Sequence, residues 1–310
     1  MEEKINTTSF WELFESRTEA MENEGRWGSA INYAKAERSL KSFIGDKPLS
    51  LSDITPKLIK DYNWFLYSKG LLRNTVSQYN RVIRAVYNYA VNEGMVEDCK
   101  PFRTVCTRID KTTKRALPEA DIARIASART NGLPQDHAKD MFLFSYLTCG
   151  MTFVDMVYLK KKDVFDDCLV YFRRKTGTRI EVQLEPAARA ICEKYSRLSG
   201  DSPYVFPILG NRTGKEAYRR MTSALAIYNR ELKKISELAG TNRKLSSYVS
   251  RHSWATAARN NGADISTVSE ALGHRSEKTT RIYLASFDRS RIEKVNHRIV
   301  NNLKQFGYHQ

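Results

Sequence analysis

Apolar residues along the first hundred positions recur three and four apart, which is the spacing of a helix face rather than a strand. Phe10, Leu13 and Phe14 follow Ser9, and Ser9 with Glu12 reads as a capping box that starts a helix there. A second helix is expected through Ile31, Leu40, Phe43 and Ile44. Thr55-Pro56 opens a third, because proline is tolerated in the first helical turn. Leu58, Ile59, Tyr62, Phe65 and Leu66 share its inner face, and Gly70 stops it. Asn74 is expected to cap a fourth, which turns Val76, Tyr79, Val82, Ile83 and Val86 inward and ends at Gly94.

The pattern breaks at "KPFRTVCTRIDKTTKRA" (100–116), poor in apolar residues and rich in basic ones. It reads as a linker over 101–116, between a helical domain at 1–100 and a second domain at 117–310. Beyond Leu117-Pro118, helices are expected at about 118–129, 134–149 and 153–160. In "DVFDDCLVYFRRKTGTRIEVQL" two β-rich runs flank Thr176-Gly177, a hairpin signal. Helices resume at 186–198, 214–238, 248–261, 264–272 and 276–284, with a tail helix near 288–303. The fold class is mainly α with a small β-sheet (α+β). The most apolar stretch (141–159) contains Gly150 and Asp155 and reads as two buried helices, not a membrane span.

Charge narrows the function. The 51 Lys+Arg against 35 Asp+Glu leave +16. Such a surplus suits a polyanion, since lysine and arginine on phosphates release condensed counterions; a basic surface kept for solubility is the plainer alternative. The outer face of the fourth helix carries Arg73, Arg81 and Arg84, following Lys69. That stripe reads equally as a phosphate-contacting surface or as a solvated one. The five cysteines are scattered without a CxxC, so neither a disulfide framework nor a zinc site is expected, and a reducing cytoplasm fits. The polar, acidic N-terminus shows no signal peptide. No metal or other cofactor is expected.

Three features late in the chain could carry chemistry. "SSYVSRHSWATAARNNG" (246–262) places Tyr248, Arg251 and His252 on the first turns of a helix. An arginine there can hold two phosphate oxygens with its forked donors. "LGHR" ends the next helix at Gly273 and leaves His274 exposed on a tight turn. Tyr283 follows nine positions later in a short polar helix, where Ile282 and Leu284 can bury and Tyr283 need not. None of the three is distinctive alone, and Tyr283 is one of 16 tyrosines.

Joined in order, "R-H-S-W-A-T … L-G-H-R-S … T-T-x-x-Y" resembles the C-terminal signature of the tyrosine recombinases, the phage-integrase family. "GMTFVDMVYL" is similar to the family's first box and "RRKTGTRIEV" to the hairpin that bears its lysine. The resemblance extends over the whole chain. It implies a helical core-binding domain and a catalytic domain forming a clamp around duplex DNA, in a bacterial cytoplasm. It implies cutting and rejoining of DNA through a 3′-phosphotyrosyl intermediate, for inversion or for integration and excision of a mobile element. Four copies would assemble on two recombination sites, and a DNA-bending accessory protein is a candidate partner.

Residue by residue, the resemblance implies Tyr283 as nucleophile and Arg251 as stabiliser of the phosphate's transition-state charge. It implies His274 as hydrogen-bond donor and helper in taking the tyrosine proton, and Lys175 as general acid. Two positions depart from the pattern: Thr152 stands where the first box usually has arginine, and Tyr248 where histidine is common. "TFVD" reads instead as a helix cap with Asp155 reaching back. Arg173, Arg174 and, in the linker, Arg115 are the candidates to replace the missing arginine. A catalytically impaired DNA-binding regulator of the same fold and a type IB topoisomerase-like enzyme are the alternatives. The tail "RSRIEKVNHRIVNNLKQF" is expected either to dock on a neighbouring protomer or to pack on its own domain.

Overall fold

The computed structural model describes residues 9–110, 116–241 and 243–284, without the side chains of 282–284. Arg115 and the expected tail helix lie outside the described residues. The chain divides into two compact units, 1–112 and 113–310.

Four helices build the first unit: α1 (Phe10–Asn23), α2 (Trp27–Ile44), α3 (Pro56–Ser68) and α4 (Arg73–Asn92). α1, α3 and α4 bury the face their apolar spacing predicts, whereas on α2 Leu40 is buried but Ile31 is exposed; Phe10, Phe14, Leu40, Ile59, Tyr62, Ile83 and Tyr87 form the centre of the core. Two of the expected caps form differently. Ser9 accepts a hydrogen bond from the Trp11 amide, a one-sided cap rather than a box with Glu12. Asn74 does not cap α4: its amide nitrogen donates to the Asp110 carbonyl (3.2 Å) and its oxygen accepts from the Asp110 amide (2.8 Å). A tertiary partner 36 residues away satisfies both halves of the side chain at once, which one helix-end amide could not do.

The same contact changes the reading of the segment after residue 100. Phe102 is buried against Tyr87, Ser77 donates to the Arg108 carbonyl and Asn80 to that of Cys106. Residues 101–110, expected as open linker, therefore pack along α4. Arg73 reaches Asp110 and Cys106 there, and Arg84 reaches Thr107. Arg81 bonds the Ser77 carbonyl, and Lys69 sits 4.1 Å over the Phe65 ring.

The second unit is a helical body that carries a two-stranded antiparallel hairpin. In order come α5 (Glu119–Ser127), α6 (Leu133–Leu147), α7 (Phe153–Val157), β1 (Cys168–Phe172) and β2 (Arg179–Gln183). They are followed by α8 (Pro186–Leu198), α9 (Gly214–Leu238), α10 (Val249–Asn260), α11 (Ile265–Ala271) and α12 (Glu277–Leu284). Leu169 and Tyr171 of β1 face Ile180 and Val182 of β2 in one core with Phe142, Phe144, Met156 and Phe206. Hence the period-2 alternation of the hairpin is a half-buried sheet face. The stretch 141–159 is α6 and α7, and no described helix is long and apolar enough to cross a membrane.

Candidate active site

Three chain reversals in the second unit converge on one cleft. The first follows α6, where Cys149 and Gly150 both adopt left-handed backbone (φ 54° and 74°). That turn aims the Gly150 carbonyl at Arg251, whose Nη1 donates to it at 2.7 Å. A hydroxyl pair, Ser145 and Ser250 at 2.7 Å, ties α6 to α10 one residue before Arg251. Arg251 is only 2 % exposed, and its Nη2 also donates to the Leu272 carbonyl. A guanidinium buried to this depth is held by its donors, so its position is set before any ligand arrives.

The second reversal is the hairpin turn. The Arg173 amide donates to the Thr178 carbonyl (2.8 Å), and the Arg173 carbonyl accepts from the Gly177 amide (2.8 Å). Strand alternation then sends Phe172 and Arg174 outward and Arg173 inward. Arg173 is 5 % exposed and its Nη1 donates to the Gly273 carbonyl at 2.8 Å. Arg174 instead lies 3.7 Å over the Tyr158 ring. Lys175, at the tip, is exposed.

The third reversal joins α11 to α12 through Gly273 (φ 60°). A Cβ at 273 would stand 2.6 Å from Ile180 Cδ1 and 3.1 Å from Arg173 Cδ, so only glycine lets the hairpin close on this turn. His274 follows. It is half-buried rather than exposed as expected, because the hairpin and Arg251 cover it. Its Nδ1 lies 2.9 Å from the hydroxyl of buried Thr280, and its Nε2 lies 3.5 Å from Arg251 Nη2. Arginine only donates, so Nε2 carries the lone pair and Nδ1–H donates to Thr280. Burial, then the charges of Arg251, Arg173 and Lys175, push the imidazole pKa down to about 4.

Arg173, Lys175, Thr176, Tyr248, Arg251, His274, Arg275 and Thr279 line the resulting cleft of ≈ 300 Å³. Four of these eight are cations and none is a carboxylate, so the lining is chemically suited to an anion. Of the residues picked from sequence, it gathers Lys175, Tyr248, Arg251, His274 and Arg173. Tyr248 is the residue before α10, makes no side-chain cap and is 45 % exposed. Lys69, Arg73, Arg81 and Arg84 belong to the first unit. Position 283 lies on α12, three residues beyond Thr280; its side chain is outside the described residues.

Sequence reading passed over Arg275 and Thr280. Arg275 donates to the Thr176 carbonyl and bridges the rim of the cleft; Thr280 sets the tautomer of His274. Only the three-residue step from Thr280 to Tyr283, one helical turn, hinted at the latter. Thr152 is also resolved. Its hydroxyl accepts from the Asp155 amide and donates to Asp155 Oδ2 at 2.6 Å, capping α7 as its sequence predicts.

A family profile described as "Phage integrase SAM-like domain" matches residues 9–108, and one described as "Phage integrase family" matches 115–290. The tyrosine recombinase XerD of Caulobacter vibrioides is 24% identical over 282 residues, covering 85% of this chain and 88% of that protein. The tyrosine recombinase XerA of Pyrococcus furiosus is 28% identical over 214 residues, covering 67% and 70%. Among solved structures, a lambda integrase tetramer bound to a Holliday junction aligns with a TM-score of 0.67 at 15% identity. It covers 90% of this chain and 78% of that one. The Tn1549 transposon integrase in complex with transposon right end DNA aligns at 0.64 and 14% identity, covering 93% and 99%.

Proposed function

Since the chain belongs to the phage integrase family and is a site-specific tyrosine recombinase that cuts and rejoins DNA by transesterification, we propose that the cationic cleft holds the scissile phosphate and that Tyr283 attacks it. The phenol oxygen forms a bond to phosphorus and the bond from phosphorus to the 5′ oxygen breaks. The products are a 3′-phosphotyrosine and a free 5′ end. Lys175, exposed at the hairpin tip, gives its proton to the departing 5′ oxygen. His274, neutral at pH 7 and in the lining of the cleft, takes the proton of the phenol. Once the phosphate is bound its negative charge favours the imidazolium, which then donates to a non-bridging oxygen. Reversal of the steps with the 5′ hydroxyl of a second strand rejoins the DNA, and the phosphotyrosine conserves the bond energy.

The partner is duplex DNA, and the +16 charge supports it. Strand exchange between two sites needs four active copies, and the fold shared with a lambda integrase tetramer on a Holliday junction supports a homotetramer. One observation carries the proposal: Lys175, Arg251 and His274, from three separate segments, meet in a cleft without an acidic residue.

A duplex that the protein selects from a randomised pool, prepared as a panel with one nick at each position, supplies suicide substrates. A covalent protein–DNA adduct at one phosphate, absent in Tyr283→Phe, is the expected result. A DNA-binding protein that forms no adduct anywhere on the panel would refute it.

A further inference from the structure

We propose that Arg173, from the hairpin, supplies the second guanidinium at the scissile phosphate, the charge that Thr152 cannot provide. The inference rests on the reading of the cleft as the phosphate site. Thr152 is neutral, buried and committed: both hydrogen-bonding functions of its hydroxyl go to Asp155. Its place must be filled by a cation from elsewhere, and the cleft shows which.

Arg173 is almost as buried as Arg251, yet its donors are incompletely used. Nη1 bonds the Gly273 carbonyl, whereas Nε is buried and has no partner among the described residues. No carboxylate among the described residues forms an ion pair with it. Buried guanidinium groups are normally paired with an anion, because an unmet donor on a buried charge is costly. A buried guanidinium that lines an acid-free cleft, with no carboxylate to pair its charge, is complementary to a phosphate.

The surrounding framework holds Arg173 in that position. Asp155 Oδ2 takes the Thr152 hydroxyl while Oδ1 takes the Arg174 amide at 2.9 Å. One buried carboxylate thus ties the vacated box directly to the residue beside Arg173. On the other side, Gly273 leaves room for the Arg173 side chain that any Cβ would crowd. Among the described residues, two other arginines stand near enough to be considered, and neither competes. Arg174 is stacked on Tyr158 and does not line the cleft. Arg275 lines it but is exposed, with its guanidinium engaged on the Thr176 carbonyl.

A guanidinium that only braced the Gly273–His274 turn would look similar, so the test must separate bracing from charge neutralisation. Single-turnover cleavage is measured on the reactive suicide duplex with either a normal scissile phosphate or a methylphosphonate. The latter lacks the charge of one non-bridging oxygen. Arg173→Ala should cleave the phosphate at least about 100-fold more slowly, the usual cost of removing one transition-state donor. On at least one methylphosphonate diastereomer it should come within a few-fold of the unaltered protein.

Arg173→Lys keeps charge and length for the Gly273 carbonyl, and should fall between the two; it stands in if the alanine variant does not fold. Unaltered cleavage of the phosphate by Arg173→Ala would overturn the proposal. Equal losses on phosphate and on both methylphosphonates would also overturn it and leave Arg173 as a brace. If the unaltered protein forms no adduct on any duplex of the panel, the reading of the cleft itself fails, whereas an adduct lost in Tyr283→Phe but kept in Arg173→Ala fails this inference alone.

Discussion

Gly150→Ala tests whether the α6–α7 turn is what holds Arg251. At φ 74°, alanine incurs left-handed strain of about 1–2 kcal/mol. Its Cβ would also lie 2.8 Å from Arg251 Cγ and 2.9 Å from Arg251 Cα, and the second of these is backbone that cannot rotate away. The turn must therefore move and take the Gly150 carbonyl from Arg251 Nη1, which strands a donor on a buried charge at about 1.5–3 kcal/mol. Together the cost is roughly 2.5–5 kcal/mol, or about 5–20 °C of melting temperature for a unit of this size. Gly200→Ala is the matched control: φ is 52°, and nothing lies within 4 Å of the added carbon. It bears the backbone strain alone, about 1–2 kcal/mol. Urea midpoints of the two variants, read with single-turnover cleavage, separate strain from collision. Gly150→Ala should unfold earlier than Gly200→Ala and lose cleavage at temperatures where it remains folded. If the two melt together, the collision is relieved without cost and the turn does not position Arg251.

Two further outcomes are expected. The imidazole of His274 has its pKa lowered from 6.5 to about 4. Below pH 6.5 the unfolded chain therefore takes up a proton that the folded one refuses. Stability is complete above pH 6.5 and is lost as pH falls toward about 4. The urea midpoint should drop further over that window than it does in His274→Gln, and parallel curves would exclude His274 as the source. Buried His137, also lowered by burial, remains in both proteins and cancels in the difference. Thr152→Val removes the α7 cap and should destabilise by roughly 1–2 kcal/mol, with cleavage at low temperature unchanged within about three-fold. A loss of 100-fold would mean that Thr152 itself contacts the phosphate.

Elements set by local spacing were legible from the chain. The described helices of both units and the hairpin lie close to where the apolar period and the Gly, Pro and Thr signals put them. The α7 cap was equally plain, because Thr152 and Asp155 are three residues apart and satisfy each other. Features settled by distant partners were not legible. Asn74 has good capping chemistry, but two bonds to the backbone at Asp110 outbid one at its own helix end. The segment after residue 100 looks like linker by composition, and packs because Phe102 and the polar groups of α4 meet its backbone.

The site divides along the same line. Arg251, His274 and Tyr283 stand out because their order and spacing over about 35 positions are a linear pattern. Arg173 is one of three consecutive basic residues, and only its contact with a glycine a hundred positions away distinguishes it from its neighbours. Strand alternation alone predicts that one of Arg173 and Arg174 turns inward without saying which, since a one-residue slip exchanges them. The register is decided by Leu169 and Tyr171 seeking the core opposite Val182 and Ile180. That packing turns Phe172 out and Arg173 in. Hydrophobic burial of the hairpin thus selects which guanidinium faces the cleft, and a substitution that slipped the strand by one residue would put Arg174 there instead.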